Sequence, residues 1–128
     1  MARFPFAFAP LYRPFAALFG VLPATAYVQV DDRMLAARFG PWLVRAPRGN
    51  VRDTHLVEGF GLAKTLGPAH LSFADRGLTM ATNRDRGVCV RFITPVPGLE
   101  PTGRLQHPGL TVTVEDCSGL IAALEASV

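Results

Sequence analysis

The stretch RFGPWLVRAPRGNVR, residues 38–52, decides how this chain is read. It holds four arginines, a lone tryptophan and two Gly/Pro breaks. Gly40-Pro41 ends one apolar run and begins another, and both runs alternate with the period of two that half-buried strands require. In MLAARF, Leu35, Ala37 and Phe39 fall on one face, with Met34, Ala36 and Arg38 on the other. In WLVRA, Trp42, Val44 and Ala46 share a face, with Leu43 and Arg45 opposite. The alternation predicts two antiparallel strands joined at Gly40-Pro41, with Trp42 buried.

The same pattern extends in both directions. Upstream, ATAYVQV (24–30) is β-branched and aromatic, and Asp31-Asp32-Arg33 turns it into the next strand. Downstream, Pro47–Asn50 forms a loop before VRDTHLV (51–57). HLSF, the Asp75-Arg76-Gly77 turn and LTMAT form a hairpin, with Gly77 at the left-handed position. Asn83–Gly87 closes a second hairpin into VCVRFI (88–93). There Val88, Val90 and Phe92 oppose Cys89, Arg91 and Ile93. A Pro/Gly-rich loop then leads to LTVTV (110–114). Asp116 or Ser118 caps a helix to about Ala126, with Leu120, Ile121 and Leu124 on its apolar side. GFGLAKTLGP (59–68) fits no regular element.

A chain of 128 residues makes one domain with a real core. Its 18% charged share falls below the usual quarter or so. Eleven prolines and twelve glycines favour short strands and turns. The net charge of +3 rests on twelve arginines and the single Lys64. Such arginine, beside abundant Ala, Gly and Pro, follows from GC-rich coding. No like-charge run interleaves with aromatics, which argues against nucleic acid as the partner.

The start of the chain admits two readings. MARFPFAFAPLYRPFAALFGVLPATA has the basic residues, the short apolar stretch and the small residues of an export signal. Its prolines, the interrupting Arg13 and the alternation of Phe4, Phe6 and Phe8 favour a structured apolar arm over residues 1–23. We expect that arm to pack on the core or to dock on a partner. The stretch is too short to span a bilayer. A cytoplasmic location is therefore expected, with export the alternative.

Catalytic chemistry finds little support. Cys89 and Cys117 make neither a disulfide framework nor a metal site, and His55, His70 and His107 lack ligand spacing. Cys117 stands at a helix start, which activates a thiol, but Glu115 and Asp116 oppose that and no histidine is close in sequence. Cys89 reads as a packed thiol in an apolar strand. His70, Ser72 and Asp75 tempt as a triad, yet no G-x-S-x-G surrounds Ser72 and aspartate is normal in a turn. No phosphate loop, metal or cofactor is expected. Arg38, Arg45, Arg48 and Arg52 form a candidate anion-binding rim if they converge. The plainer expectation is a solvated face with local pairing to Asp31, Asp32 and Asp53.

The run from Tyr27 to Val57 and the closing DCSGLIAAL resemble a bacterial pleckstrin-homology-like domain. The motifs are L-x-x-R-x-G at Leu35–Gly40, then Pro47, Asn50 and Val51, and ED-x-x-x-L-x-x-AL at Glu115–Leu124. The resemblance implies an antiparallel curled sheet or open barrel of about seven strands over residues 24–114. It also implies a C-terminal capping helix over 116–126. The N-terminal arm and residues 59–68 depart from that pattern. GVLPATAYV, RFGPW, GPAHLSFADRGLT, GVCVRF and HPGLTVTV further resemble an uncharacterised protein family of high-GC bacteria, which supplies no catalytic residues to carry over. Together these features predict a non-catalytic interaction module. It would bind a protein partner, or itself, through the arm of Phe4, Phe6 and Phe8 or an exposed sheet edge. The alternative is a small-molecule, lipid or anion-binding barrel with its pocket under the C-terminal helix; an enzyme comes third.

Overall fold

A computed structural model describes residues 2–8, 10, 13–18, 20–58, 70–71, 78–80, 86–97 and 106–125. The chain is mainly β. In order it forms β1 (Ala2–Pro5), α1 (Arg13–Leu18), β2 (Ala26–Val30), β3 (Met34–Phe39), β4 (Trp42–Pro47) and a 3-10 turn (Arg48–Asn50). These are followed by β5 (Val51–Glu58), β6 (His70–Leu71), β7 (Leu78–Met80), β8 (Arg86–Pro97), β9 (Gln106–Val112) and α2 (Cys117–Glu125).

The first sheet is antiparallel, in the order β1-β2-β3-β4, and the second runs β5-β8-β9-β7-β6. The hairpin at Gly40-Pro41 has the expected register, with Phe39 opposite Trp42 and Ala37 opposite Val44. Gly40 takes φ 61°, where a side chain would press on the Gly20 carbonyl at 2.9 Å. A residue with a Cβ is therefore excluded twice, by conformation and by space. The inner faces alternate as the sequence implies: Leu35, Ala37, Phe39, Val44 and Ala46 are buried, as are Val88, Val90 and Phe92. Trp42 lies on the inner face but is only half-buried, at the sheet's end, with its ring 6.3 Å from Phe39.

The N-terminal arm is an edge strand of the first sheet. Its register sets Phe4 opposite Val28. Phe4 and Phe6 are buried and Phe8 packs half-buried on the same core. Of the two expectations for the arm of Phe4, Phe6 and Phe8, packing on the core and docking on a partner, their burial fits the first. The chain then continues into a bridge that joins the sheets. Phe6 pairs with Val114 just beyond β9, flanked by Ala7 N–H donating to Thr113 (3.0 Å) and Glu115 N–H to Pro5 (2.9 Å).

A helix also interrupts the arm. Pro14 suits the first turn of α1, and Gly20 at φ 78° closes it in a Schellman pattern. Gly20 N–H donates to Ala17 and Val21 N–H to Ala16. That closure buries Val21 and anchors the segment to the β3–β4 turn through Gly40 N–H and the Thr25 carbonyl (2.9 Å).

Three further departures concern the second half. Within residues 24–114, where about seven strands are expected, the described residues hold eight, β2 to β9, and they form no closed barrel. β7 pairs with β6 as an antiparallel hairpin but lies parallel to β9, so it does not hairpin into β8. Fully buried Leu78 and Met80 sit beside Leu110 and Val112; strand alternation tells which face is buried, but not which strand is the neighbour. Finally, β8 and β9 reach Pro97 and Gln106, taking up both ends of the expected loop. The 59–68 segment and the turns around Asp75 and Asp85 lie outside the described residues.

Helix α2 forms as expected. Asp116 caps it, its Oδ1 accepting from Gly119 N–H at 3.0 Å. Cys117, Leu120 and Leu124 are buried, and the helix packs against β5 and β8.

Candidate interaction face

Ten side chains point away from the core of the first sheet: Arg3 and Pro5, Tyr27 and Gln29, Met34, Ala36 and Arg38, and Leu43, Arg45 and Pro47. They follow from the register, which sets Arg3 opposite Gln29, Tyr27 opposite Arg38, and Ala36 opposite Arg45. None is a carboxylate. Arg3, Arg38 and Arg45 are exposed, and Leu43 is 50% exposed among them.

Two of these arginines are held in place. The Arg3 guanidinium lies over the Tyr27 ring, 3.9 Å from its centroid, a cation–π contact that also fixes the ring. Arg38 Nε donates to the Gly40 carbonyl at 3.2 Å, so the Gly-Pro turn orients it. Arg45 lies diagonally across from Arg38, within reach of a shared ligand. With strands about 4.8 Å apart, the row from β1 to β4 spans about 14 Å.

The expected rim divides. Arg38 and Arg45 share the first-sheet face, but Arg48 and Arg52 do not join them. The 3-10 turn breaks the strand period and points Arg48 inward. Its Nη1 donates to the Asp31 carbonyl at 2.7 Å and its Nη2 to the Ala123 carbonyl in the last turn of α2. Its Nε is buried with no hydrogen-bond partner among the described residues. Arg48 is thus a clamp between the β2–β3 turn, the β4–β5 corner and the helix. Arg52 lies on β5, its Nε 3.4 Å from Asp53.

On the second sheet's outer face, Asp53 also faces Arg91 in register and accepts two bonds, from Nε at 2.9 Å and Nη2 at 3.1 Å. The Arg91 hydrogen bonds hold the Asp53 carboxyl below its ordinary range. Asp31 is held low in the same way by the backbone N–H groups of Arg33 and Met34, which both donate to Oδ1. Local pairing to Asp53 is therefore real, while Asp31 bonds its own turn.

Among the described residues, the cysteines and histidines assemble no reaction centre. Cys117 is buried and its thiol contacts the Val114 carbonyl; burial pushes its pKa up, away from a nucleophile's. His55 is exposed opposite Cys89 on β5–β8, and His107 is buried. Ser72 and Asp75 lie outside the described residues. Among those described, no three His, Cys, Asp or Glu side chains group to hold a metal, and no helix is long and apolar enough to cross a membrane. Nothing here points to catalysis.

Arg3 and Tyr27 escaped the sequence reading. Their alternation with Phe4 and Val28 was visible, but the pairing of β1 with β2, which brings them onto this face, was not. Charge offers a second signal. Residues 1–52 carry seven arginines and two aspartates, whereas residues 53–128 carry six basic and eight acidic residues. The basicity is thus concentrated where the first sheet lies. No family model, curated protein or solved structure matches the chain.

Proposed function

We propose that the protein is a non-catalytic interaction module that binds a protein partner through the outer face of its first sheet. The composition of that face carries the reading. Contact surfaces between proteins are enriched in Arg, Tyr and Met and depleted in Lys, Glu and Asp. The ten outward residues include three arginines, Tyr27 and Met34 around exposed Leu43, and no lysine or carboxylate. The β1 edge is a weaker candidate, because it is tied through Phe6 to Val114.

A pleckstrin-homology-like architecture is supported by the path of the strands. From β4 the order runs through β3 and β2 to β1, crosses at Phe6–Val114 to β9, and continues to β8 and β5. Helix α2 packs on β5 and β8. The β6–β7 pair is an insertion in that path.

The test places a photo-crosslinking p-benzoylphenylalanine at position 43, and separately at Ile93, which is 63% exposed on the other sheet. Illumination in the native host is expected to give a protein adduct from position 43 and none from position 93. No adduct from position 43 would overturn the reading.

A further inference from the structure

We infer that the occupant of the first-sheet face is an acidic segment of a different protein, whose carboxylates pair with Arg3, Arg38 and Arg45; this rests on the interaction reading above. Charge complementarity decides the occupant. The face carries three exposed guanidinium groups and no carboxylate of its own to neutralise them. Arg3 is seated on Tyr27 and Arg38 is tied to Gly40, so two donor forks stand preorganised for carboxylates, with little ordering left to do on binding. Leu43, half-exposed opposite Arg38, offers an apolar contact within the charged row. A segment alternating acidic and apolar residues matches both features.

The competing occupants fit less well. Two copies meeting through this face in a two-fold dimer would set arginine against arginine, since such an interface is self-complementary. A head-to-tail pairing through exposed Asp32, Glu115 or Glu125 would appear as a dimer that loss of the three arginines disrupts. Single-stranded nucleic acid needs open aromatic rings for base stacking. The one ring on this face, Tyr27, is covered by Arg3, and Phe4 and Phe39 point into the core.

The experiment titrates the purified full chain with a short fluorescent peptide of alternating Glu and Leu, read by anisotropy. A Lys/Leu peptide, oligothymidylate and phosphatidylserine vesicles are titrated in parallel. The Glu/Leu peptide is expected to bind best and to weaken as salt rises. The triple variant Arg3→Gln/Arg38→Gln/Arg45→Gln should lose about tenfold or more in affinity. Arg52→Gln, on the other sheet, should change nothing, and an unaltered circular dichroism melt would show that the triple variant is folded. Equal binding of the Lys/Leu peptide, tighter face-dependent binding of oligothymidylate or vesicles, or a dimer disrupted by the triple variant would overturn the inference. Repeating the crosslink at position 43 in the triple variant separates the two levels. An adduct that persists there sinks the acidic partner but keeps the module, whereas its absence from the parent chain sinks the module.

Discussion

Arg48 illustrates how far a single residue can depart from its sequence neighbours. Arg38 and Arg45 lie on strands, where alternation alone assigns them to the outer face, and that assignment holds. Arg48 lies in a 3-10 turn, where no period tells which way a side chain points. The turn aims it at the carbonyls of Asp31 and Ala123, groups no sequence pattern pairs. Its place at the end of α2 also suits the negative end of the helix dipole. We expect Arg48→Ala to destabilise the fold by about 2 kcal/mol, the scale of hydrogen bonds to a charged group, measured by urea denaturation. Arg48→Lys should recover only part, since one ammonium cannot reproduce a fork that spans two carbonyls.

The acidic residues give a second expectation at this scale. Asp31 and Asp53 titrate below their ordinary values in the folded chain, so the unfolded chain binds protons more readily. Their stabilisation is complete above the unfolded carboxylate value of about 4 and is lost as pH falls through the lower folded values. Denaturation midpoints should therefore drop on acidification below about pH 4. Asp53→Asn should flatten part of that slope; an identical slope in the variant would count against the assignment.

Among the elements, legibility followed the reach of local signals. Helix α2 could be read from its cap and apolar positions because both act within a few residues. Asp116→Ala should cost about 1 kcal/mol. Leu120→Ala, at a site with no exposure, should cost roughly 2–5 kcal/mol, both by chemical denaturation. The signals for α1 were equally local, Pro14 at the start and Gly20 at the end, but they were masked by the alternating phenylalanines before them. The parallel placement of β7 beside β9 was not legible at all. Residues 78 and 110 meet only after the chain has folded, and buried apolar strands look alike whichever neighbour they take.

At the scale of the molecule, the division of labour between the two sheets is clear. The outer face of the first sheet carries three arginines and, among the described residues, no carboxylate, while the second pairs outward charges at Asp53 and Arg91. The sequence supplied the fold class and half of the candidate face. It could not supply Arg3 and Tyr27, because they reach the face only through strand pairing. The crossing between sheets is structurally just as important. Phe6→Ala should cost roughly 3–5 kcal/mol, because its ring packs 5.3 Å from Phe39 at the junction.

That junction also constrains the order in which the protein can be made. β1 and the adjoining Phe6 are synthesised well before Val114, the residue with which Phe6 pairs. At about 5–20 residues per second, synthesis leaves the young strand without that neighbour for roughly ten seconds. Until then the apolar side of Phe4 and Phe6 has only β2 and the early hairpin for shelter. The nascent chain thus carries an interval of exposed, strand-prone apolar surface, the kind that chaperones shield and aggregation exploits. Slowing translation in the second half of the message should lengthen that interval and lower the soluble yield without changing a single residue.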